Sequence, residues 1–428
     1  MPGTNRRTFL ESSGAAAGAL LLPESLVSAK ENRLLKAGVI GVGWYGMVDA
    51  RAALAVGGVE IDAVCDADAA HLQTAADDLK KLQGKRPRTF KKYLALLDQK
   101  SLDFVIIATP PHWHALQLIA ALERGKDVYC EKPIAYDIRE GQAMVNAVGR
   151  SDRIVQVGFQ RRQSKAFRAA TDFIKSGGIG KLVQVDAQIH YRAGLKDPTP
   201  QDPPATLDWD LWCGPGPLIP YSPQVGHKSW RLEKTSGHGH LVDWGIHLLD
   251  SIRVFLGLDM PKSVTASGGL YQYKGRITTP DTLSVHFEFD QVPVHWRHRI
   301  WGATEYTPEV NNGIFFFGTE GTVFAGDRNW VVIRPGKKGA REEHSAPADL
   351  GKLHMADFLH AVRQRRPPSC LMPSAFQSTG TVQLAMISYE TGTTVQWDEK
   401  KKEILDNPVA ARLLRRRYRQ PYVHPYRA

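Results

Sequence analysis

The stretch Ala37–Arg51, AGVIGVGWYGMVDAR, restricts what this chain can fold into more than any other. Apolar Val39, Ile40 and Val42 run into Gly41, Gly43 and Gly46, and small or apolar residues continue at helix-compatible spacing. That order reads strand, tight turn, helix. Gly41 permits the reversal, Gly43 lets backbone N–H groups approach a pyrophosphate, and Gly46 lets the helix pack close to the strand. Trp44 and Tyr45 lie inside the same turn. A GxGxxG alone is a weak signal, but here a second strand, Val59–Cys65, ends in Asp66, where a carboxylate accepts from both hydroxyls of an adenosine ribose. An aspartate at that position repels a 2′-phosphate, so the expected cofactor is NAD rather than NADP.

A chain of 428 residues is too long for one ordinary core and suggests two or three domains. Its formal charge of +11 is dispersed, with short basic runs at Arg161–Arg162 and near the C-terminus. No basic stripe is interleaved with aromatics, which argues against nucleic-acid binding. Cys65, Cys130, Cys213 and Cys370 are too scattered for a zinc site and read as inert thiols. His286, His295 and His298 fall on predicted strands without a ligand pattern, so no metal is expected.

Residues 1–29 read as a targeting segment. Arg6 and Arg7, then Thr8, Phe9 and Leu10, precede an apolar run from Gly14 to Leu22 and a Val27-Ser28-Ala29 cleavage-like triplet. The segment resembles a twin-arginine signal, which exports folded proteins and implies a periplasmic or otherwise exported enzyme carrying a tightly held cofactor. The apolar run is too short for stable membrane insertion.

From residue 30 to 159 strands and helices alternate, as a doubly wound parallel sheet requires. The strand Asp103–Ala108 stops at Thr109-Pro110-Pro111, and His112, Trp113 and His114 follow. Carboxyl ends of such strands face the ligand crevice, so Thr109, Pro110, His112 and His114 are candidate contacts. The strand Asp127–Cys130 delivers Glu131-Lys132-Pro133 to the same edge, and Asp137 with Glu140 has capping-box spacing. Lys132, placed by a proline at the mouth of a strand, can meet a substrate hydroxyl beside the nicotinamide.

The second chemical cluster is GHGHLVDWGIHLLDSIRVFL, Gly237 to Leu256. On an α-helix Asp243, His247 and Asp250 share one face. A carboxylate one turn from an imidazole orients it and stabilises the imidazolium, as a general base needs.

GxGxxG at Gly41–Gly46, TPPHWH at Thr109–His114, EKP at Glu131–Pro133 and DWGIHLLD at Asp243–Asp250 together resemble the Gfo/Idh/MocA oxidoreductase family, which includes glucose-fructose oxidoreductase and inositol dehydrogenases. The resemblance implies a Rossmann domain followed, over residues 160–406, by an α+β domain with an open-faced, mostly antiparallel sheet that supports homo-oligomers. It implies His247 as proton acceptor, Asp243 as its partner, and Lys132 as the group that positions a sugar, polyol or glycoside substrate. Gly158 to Arg162 resembles the family's crossover segment, with Arg162 as the arginine facing the site. Trp230, Arg231 and His240 are further substrate candidates; His238 and His240 stand where relatives often carry glycines. Eight prolines with Trp209 and Trp212 between Asp197 and Pro223 suggest a binding loop or a core cover. Residues 407–428 form a basic tail expected to pack on the chain itself or on a neighbouring subunit. The alternatives are an NAD-dependent glycosidase acting through transient oxidation and a secreted carbohydrate-binding protein without turnover.

Overall fold

The computed structural model describes residues 33–303, 311–336 and 340–427, so the targeting segment lies outside the described residues. Leu34–Ala428 holds together as one unit. Its first part is a parallel sheet of β1 (Leu35–Ile40), β2 (Val59–Cys65), β3 (Arg88–Phe90), β4 (Phe104–Ile107), β5 (Asp127–Cys130) and β6 (Val155–Val157). The spatial order is β3-β2-β1-β4-β5-β6, the doubly wound arrangement whose direction of winding reverses between β1 and β4. Both faces are buried, which is why these strands read as continuous apolar runs. Ile40, Val105, Ile107 and Val128 belong to one core. Ala37, Val39, Ile61, Phe104 and Ile106 belong to the other, which is closed by Phe358 and Leu359 from the distant helix Leu350–Gln364.

The helix Ile138–Gly149 starts as its sequence specifies: Asp137 accepts from the Glu140 amide at 2.7 Å, and Glu140 reaches back to the Tyr136 amide at 2.9 Å. The basic tail then settles on this corner. Arg416 pairs with Glu140 at 2.8 Å and donates to the His112 carbonyl oxygen at 2.8 Å, Tyr418 donates to Glu140 at 2.9 Å, and His424 meets Asp137 at 3.1 Å. The tail packs on its own chain.

The second part is a ten-stranded sheet in which all pairs are antiparallel except one, Leu182–His190 beside Pro293–Arg299. Helices Lys165–Lys175, Ile246–Leu256 and Met372–Thr391 contribute apolar side chains to the core on one face. The opposite face carries Gln184, Asp186, His286, His295 and Arg297, all at least partly exposed. The proline-rich stretch forms one short helix, Trp209–Cys213, capped by Asp208. Trp209 is buried and stacks on Trp212 with 4.6 Å between ring centres. All four cysteines are free and buried, and among the described residues no helix is long and apolar enough to cross a membrane.

Candidate active site

The chain leaves β1 through Gly41 at φ +88°, a conformation open to glycine at little cost. A Cβ there would lie 2.7 Å from the Thr109 amide nitrogen, and one on Gly46 would run into the Gly41 carbonyl. Asp66 fastens the turn: Oδ2 accepts from the Val42 amide at 2.8 Å and Oδ1 from the Asp68 amide at 2.9 Å. Each oxygen keeps a lone pair for a ribose hydroxyl. A cavity of ≈ 400 Å³ opens above, lined by Gly41, Gly43, Trp44, Tyr45, Asp66, Thr109, Pro110, Trp230 and Arg231. A glycine cradle intolerant of Cβ atoms beside a carboxylate fits a dinucleotide.

Two expected contacts do not reach it. His112 Nε2 faces the Trp212 carbonyl oxygen at 2.9 Å, and His114 lies between the carbonyls of Pro133 at 2.8 Å and Thr109 at 2.7 Å. Burial depresses their pKa values to about 3 and about 4. Pro111–Trp113 is a 3₁₀ turn, in which successive side chains diverge, so the imidazoles face the protein and Trp113 lines the cavity. Glu131 is likewise a support rather than a lining residue. Buried, it accepts from Gln160 at 2.7 Å and from the Lys132 amide at 3.2 Å. Burial pushes its carboxyl up to about 7 against the pull of Lys132.

Lys132 and Asp243 meet beyond Arg231; of these three only Arg231 lines the cavity, and His247 does not line it either. The Lys132 ammonium donates to the Asp243 backbone oxygen at 2.6 Å and to Oδ1 at 3.1 Å, while Arg231 Nε pairs with Oδ2 at 3.0 Å. Burial alone would raise the Asp243 pKa, but Lys132 and Arg231 outweigh it and hold the carboxylate below its usual value. Asp243 is therefore not the partner of His247. The physical reason is a π-turn, Leu241–Gly245, ahead of the α-helix Ile246–Leu256. Its wider winding breaks the α-helical phase on which a shared face for Asp243 and His247 depends.

His247 stands between Phe159 and Trp244, with ring centres 6.3 and 6.4 Å away. Its Nδ1 is buried with no hydrogen-bond partner among the described residues. Burial, then Lys132 and Arg161, depress its pKa well below the ordinary imidazole value. A neutral ring at neutral pH is the form a general base requires.

Asp250 and Arg162 are structural, contrary to expectation. They form a buried pair, Nε–Oδ2 3.0 Å and Nη2–Oδ1 2.6 Å, with Ser378 donating to Oδ1 at 2.7 Å. The neighbouring Arg161 is the arginine whose charge bears on His247. It pairs with Asp327 at 2.8 Å, and its Nη1 is buried without a partner among the described residues. Adjacent identical residue types give no sequence signal for which one turns inward. His240 is also withdrawn, bonded to the Ile189 carbonyl at 3.2 Å and enclosed by Tyr191, Trp296 and His298. His238, at φ +76°, faces the Tyr136 carbonyl at 2.9 Å. Arg231 lies over Trp230 at 4.3 Å and over Trp44 at 5.1 Å, joining the glycine turn to the catalytic helix. His71, Trp212, His227 and Lys228 also line the cavity; Trp212 comes from the proline-rich stretch, and the other three sit in no motif that marks them in sequence.

A doubly wound sheet with this cradle, joined to an open-faced sheet whose helix is clamped by Lys132, defines a two-domain dinucleotide-binding protein. Residues 35–159 match the oxidoreductase family's NAD-binding Rossmann fold, and residues 178–424 match its C-terminal alpha/beta domain. The chain belongs to the Gfo/Idh/MocA oxidoreductase family. It is 36% identical over 161 residues to an inositol 2-dehydrogenase of Salmonella typhimurium, covering 37% of this chain and 46% of that protein. It is 26% identical over 211 residues to a glycosyl hydrolase family 109 protein of Shewanella baltica, covering 44% and 46%. The aligned segments thus span about half the length of these relatives. In fold it is similar to levoglucosan dehydrogenase in complex with NADH and levoglucosan, with a TM-score of 0.66, 20% identity, and coverage of 85% of this chain and 99% of that one.

Proposed function

We propose that this protein transfers hydride between NAD and a secondary hydroxyl of a sugar, polyol or glycoside. The observation that carries the reading is an imidazole, His247, whose pKa burial and the neighbouring Lys132 depress, with that lysine hydrogen-bonded to Asp243. NAD, held by the Gly41–Gly46 turn and Asp66, supplies the hydride acceptor. His247 Nε2 takes the hydroxyl proton. Lys132, anchored on Asp243, offers its remaining donor capacity to the same oxygen and favours its ionised form. Trp44, Trp230 and Arg231 screen the site from water, and the flat indole faces suit a sugar ring. The test is NADH formation by the purified chain with myo-inositol, levoglucosan and a panel of aldoses and glycosides. NADH formation that His247→Ala abolishes is expected; a panel with no turnover would overturn the assignment.

A second reading is redox-neutral cleavage of a glycoside through transient oxidation, favoured by the similarity to a glycosyl hydrolase family 109 protein over 211 residues. Product analysis separates the two: a released aglycone without net NADH supports cleavage. Arg6 and Arg7 ahead of the apolar run support export of the folded chain to the periplasm with NAD retained. Mass analysis of nucleotide released from the exported, denatured protein tests this, and nucleotide-free protein would overturn it. The open sheet face supports assembly into homo-oligomers, to be read by light scattering.

A further inference from the structure

Three side chains from two distant parts of the chain converge beside Asp66. Asp68 caps the helix Ala69–Gln83, His71 lies in that helix's first turn, and His227 opens the 3₁₀ turn His227–Leu232. One carboxylate oxygen and one nitrogen of each ring all lie within 4.8 Å of one another. Asp68 Oδ1 is committed to the Ala70 amide at 2.8 Å, while Oδ2 faces His227 Nε2 at 3.3 Å. That separation is the edge of a tetrahedron whose metal–ligand bonds are about 2.0–2.1 Å. The His71 and His227 rings are 4.3 Å apart, tilted by 51°. His227 is held at φ +42°, a left-handed conformation uncommon for a residue with a side chain.

We propose that Asp68, His71 and His227 form a binding site for a divalent transition-metal ion of the zinc class. Two imidazoles and one carboxylate suit such an ion, whereas magnesium and calcium prefer all-oxygen sets. His71 and His227 line the dinucleotide cavity, so an ion held by them would face it. The ion also fastens the turn that carries Trp230 and Arg231 to the helix following Asp66. The sequence expectation of no metal rested on other histidines; here only Asp68 and His71 are close in sequence, and the third ligand comes from the fold.

The test uses the full chain, stripped with a chelator and titrated with Co²⁺, whose visible absorption reports tetrahedral or five-coordinate binding, with Zn²⁺ as competitor. One ion per chain is expected, displaced by Zn²⁺, with affinity reduced at least about tenfold in His71→Gln and in His227→Gln. The control is the double variant His286→Gln/His295→Gln, which removes a second histidine pair, 4.9 Å apart on the open sheet face; its binding should be unchanged. Zn²⁺ should raise the unfolding temperature of the parent and the control but not of His227→Gln, and metal-free melting shows whether that variant is folded. No saturable binding, binding that persists in a folded His227→Gln, or binding lost in the control would overturn the proposal. Each leaves the reading of NAD chemistry intact, because NADH formation is measured separately.

Discussion

Lys132 and Asp243, from opposite halves of the chain, meet twice: the ammonium donates to the aspartate's backbone oxygen at 2.6 Å and to its side chain at 3.1 Å. Because one contact is to the backbone, Lys132 reports the position of the π-turn as well as the charge of the carboxylate. Asp243→Asn keeps the shape but removes the charge that also holds Arg231. Turnover should fall about 10²-fold with a modest change in NADH affinity, since general acid–base positioning contributes on that scale. Lys132→Ala should fall at least as far. The measurement is kcat beside NADH fluorescence titration, and an Asp243→Asn variant with parental kcat would separate the carboxylate from the chemistry.

His247 gives a sharper expectation. Its buried Nδ1, without a partner among the described residues, is a desolvated polar group worth about 1–3 kcal/mol of stability forgone. His247→Phe should therefore lose turnover about 10²- to 10⁴-fold while matching or exceeding the parent's unfolding temperature. A less stable variant would mean that the imidazole serves the core.

The first half of the fold was legible because its signals are local. Gly41, Gly43, Gly46 and Asp66 announce strand, turn and helix within one short window, and apolar runs such as Phe104–Ile107 follow from burial on both faces of a parallel sheet. The misplacement of Asp243 came from assuming an unbroken α-helix. One π-turn at Leu241–Gly245 reassigns Asp243 to Lys132 and Arg231, and Asp250 pairs with Arg162 rather than facing the site. Whether His112 or Trp113 faces a cavity depends on a rotation that the string of letters does not encode. His227 becomes visible only once a loop after the proline-rich stretch has been folded back over the glycine turn.

The two crossover arginines should separate cleanly. Breaking the buried Arg162–Asp250 pair with Arg162→Leu strands a carboxylate and should cost about 3–5 kcal/mol, seen as a large drop in denaturant midpoint. Arg161→Leu should instead move the pH profile. With one nearby cation gone, protonation of His247 is less opposed and its pKa rises, so activity on the acid side is lost at a higher pH than in the parent. Equal stability losses with unshifted profiles would refute the division of labour.

Acid should destabilise the fold well before its ion pairs titrate. His112, His238, His298 and His354 are held by burial at pKa values of about 3 to about 4. In the unfolded chain each binds a proton near the free value of ~6.5. Between those limits the unfolded state carries more protons, so stability is present above ~6.5 and drains as pH falls toward the folded values, at about 1.4 kcal/mol per pH unit for each net proton. Glu131, pushed up to about 7 by burial, acts in the opposite sense, as do Asp49, Asp66, Glu140 and Glu390, which burial also raises: a carboxyl protonated in the fold stabilises it as pH falls. His190, His240 and His247 are depressed by burial as well, so the histidines outnumber these five carboxyls and the unfolding temperature should drop continuously from pH 7 to about 5. His354 isolates one contribution: its Nε2–H donates to the Val157 carbonyl at 2.8 Å while Nδ1 has no partner among the described residues, a neutral tautomer fixed by the fold. His354→Gln should be less stable than the parent at pH 7 yet flatten the pH dependence by about one proton; an unchanged slope would show that His354 is not held neutral.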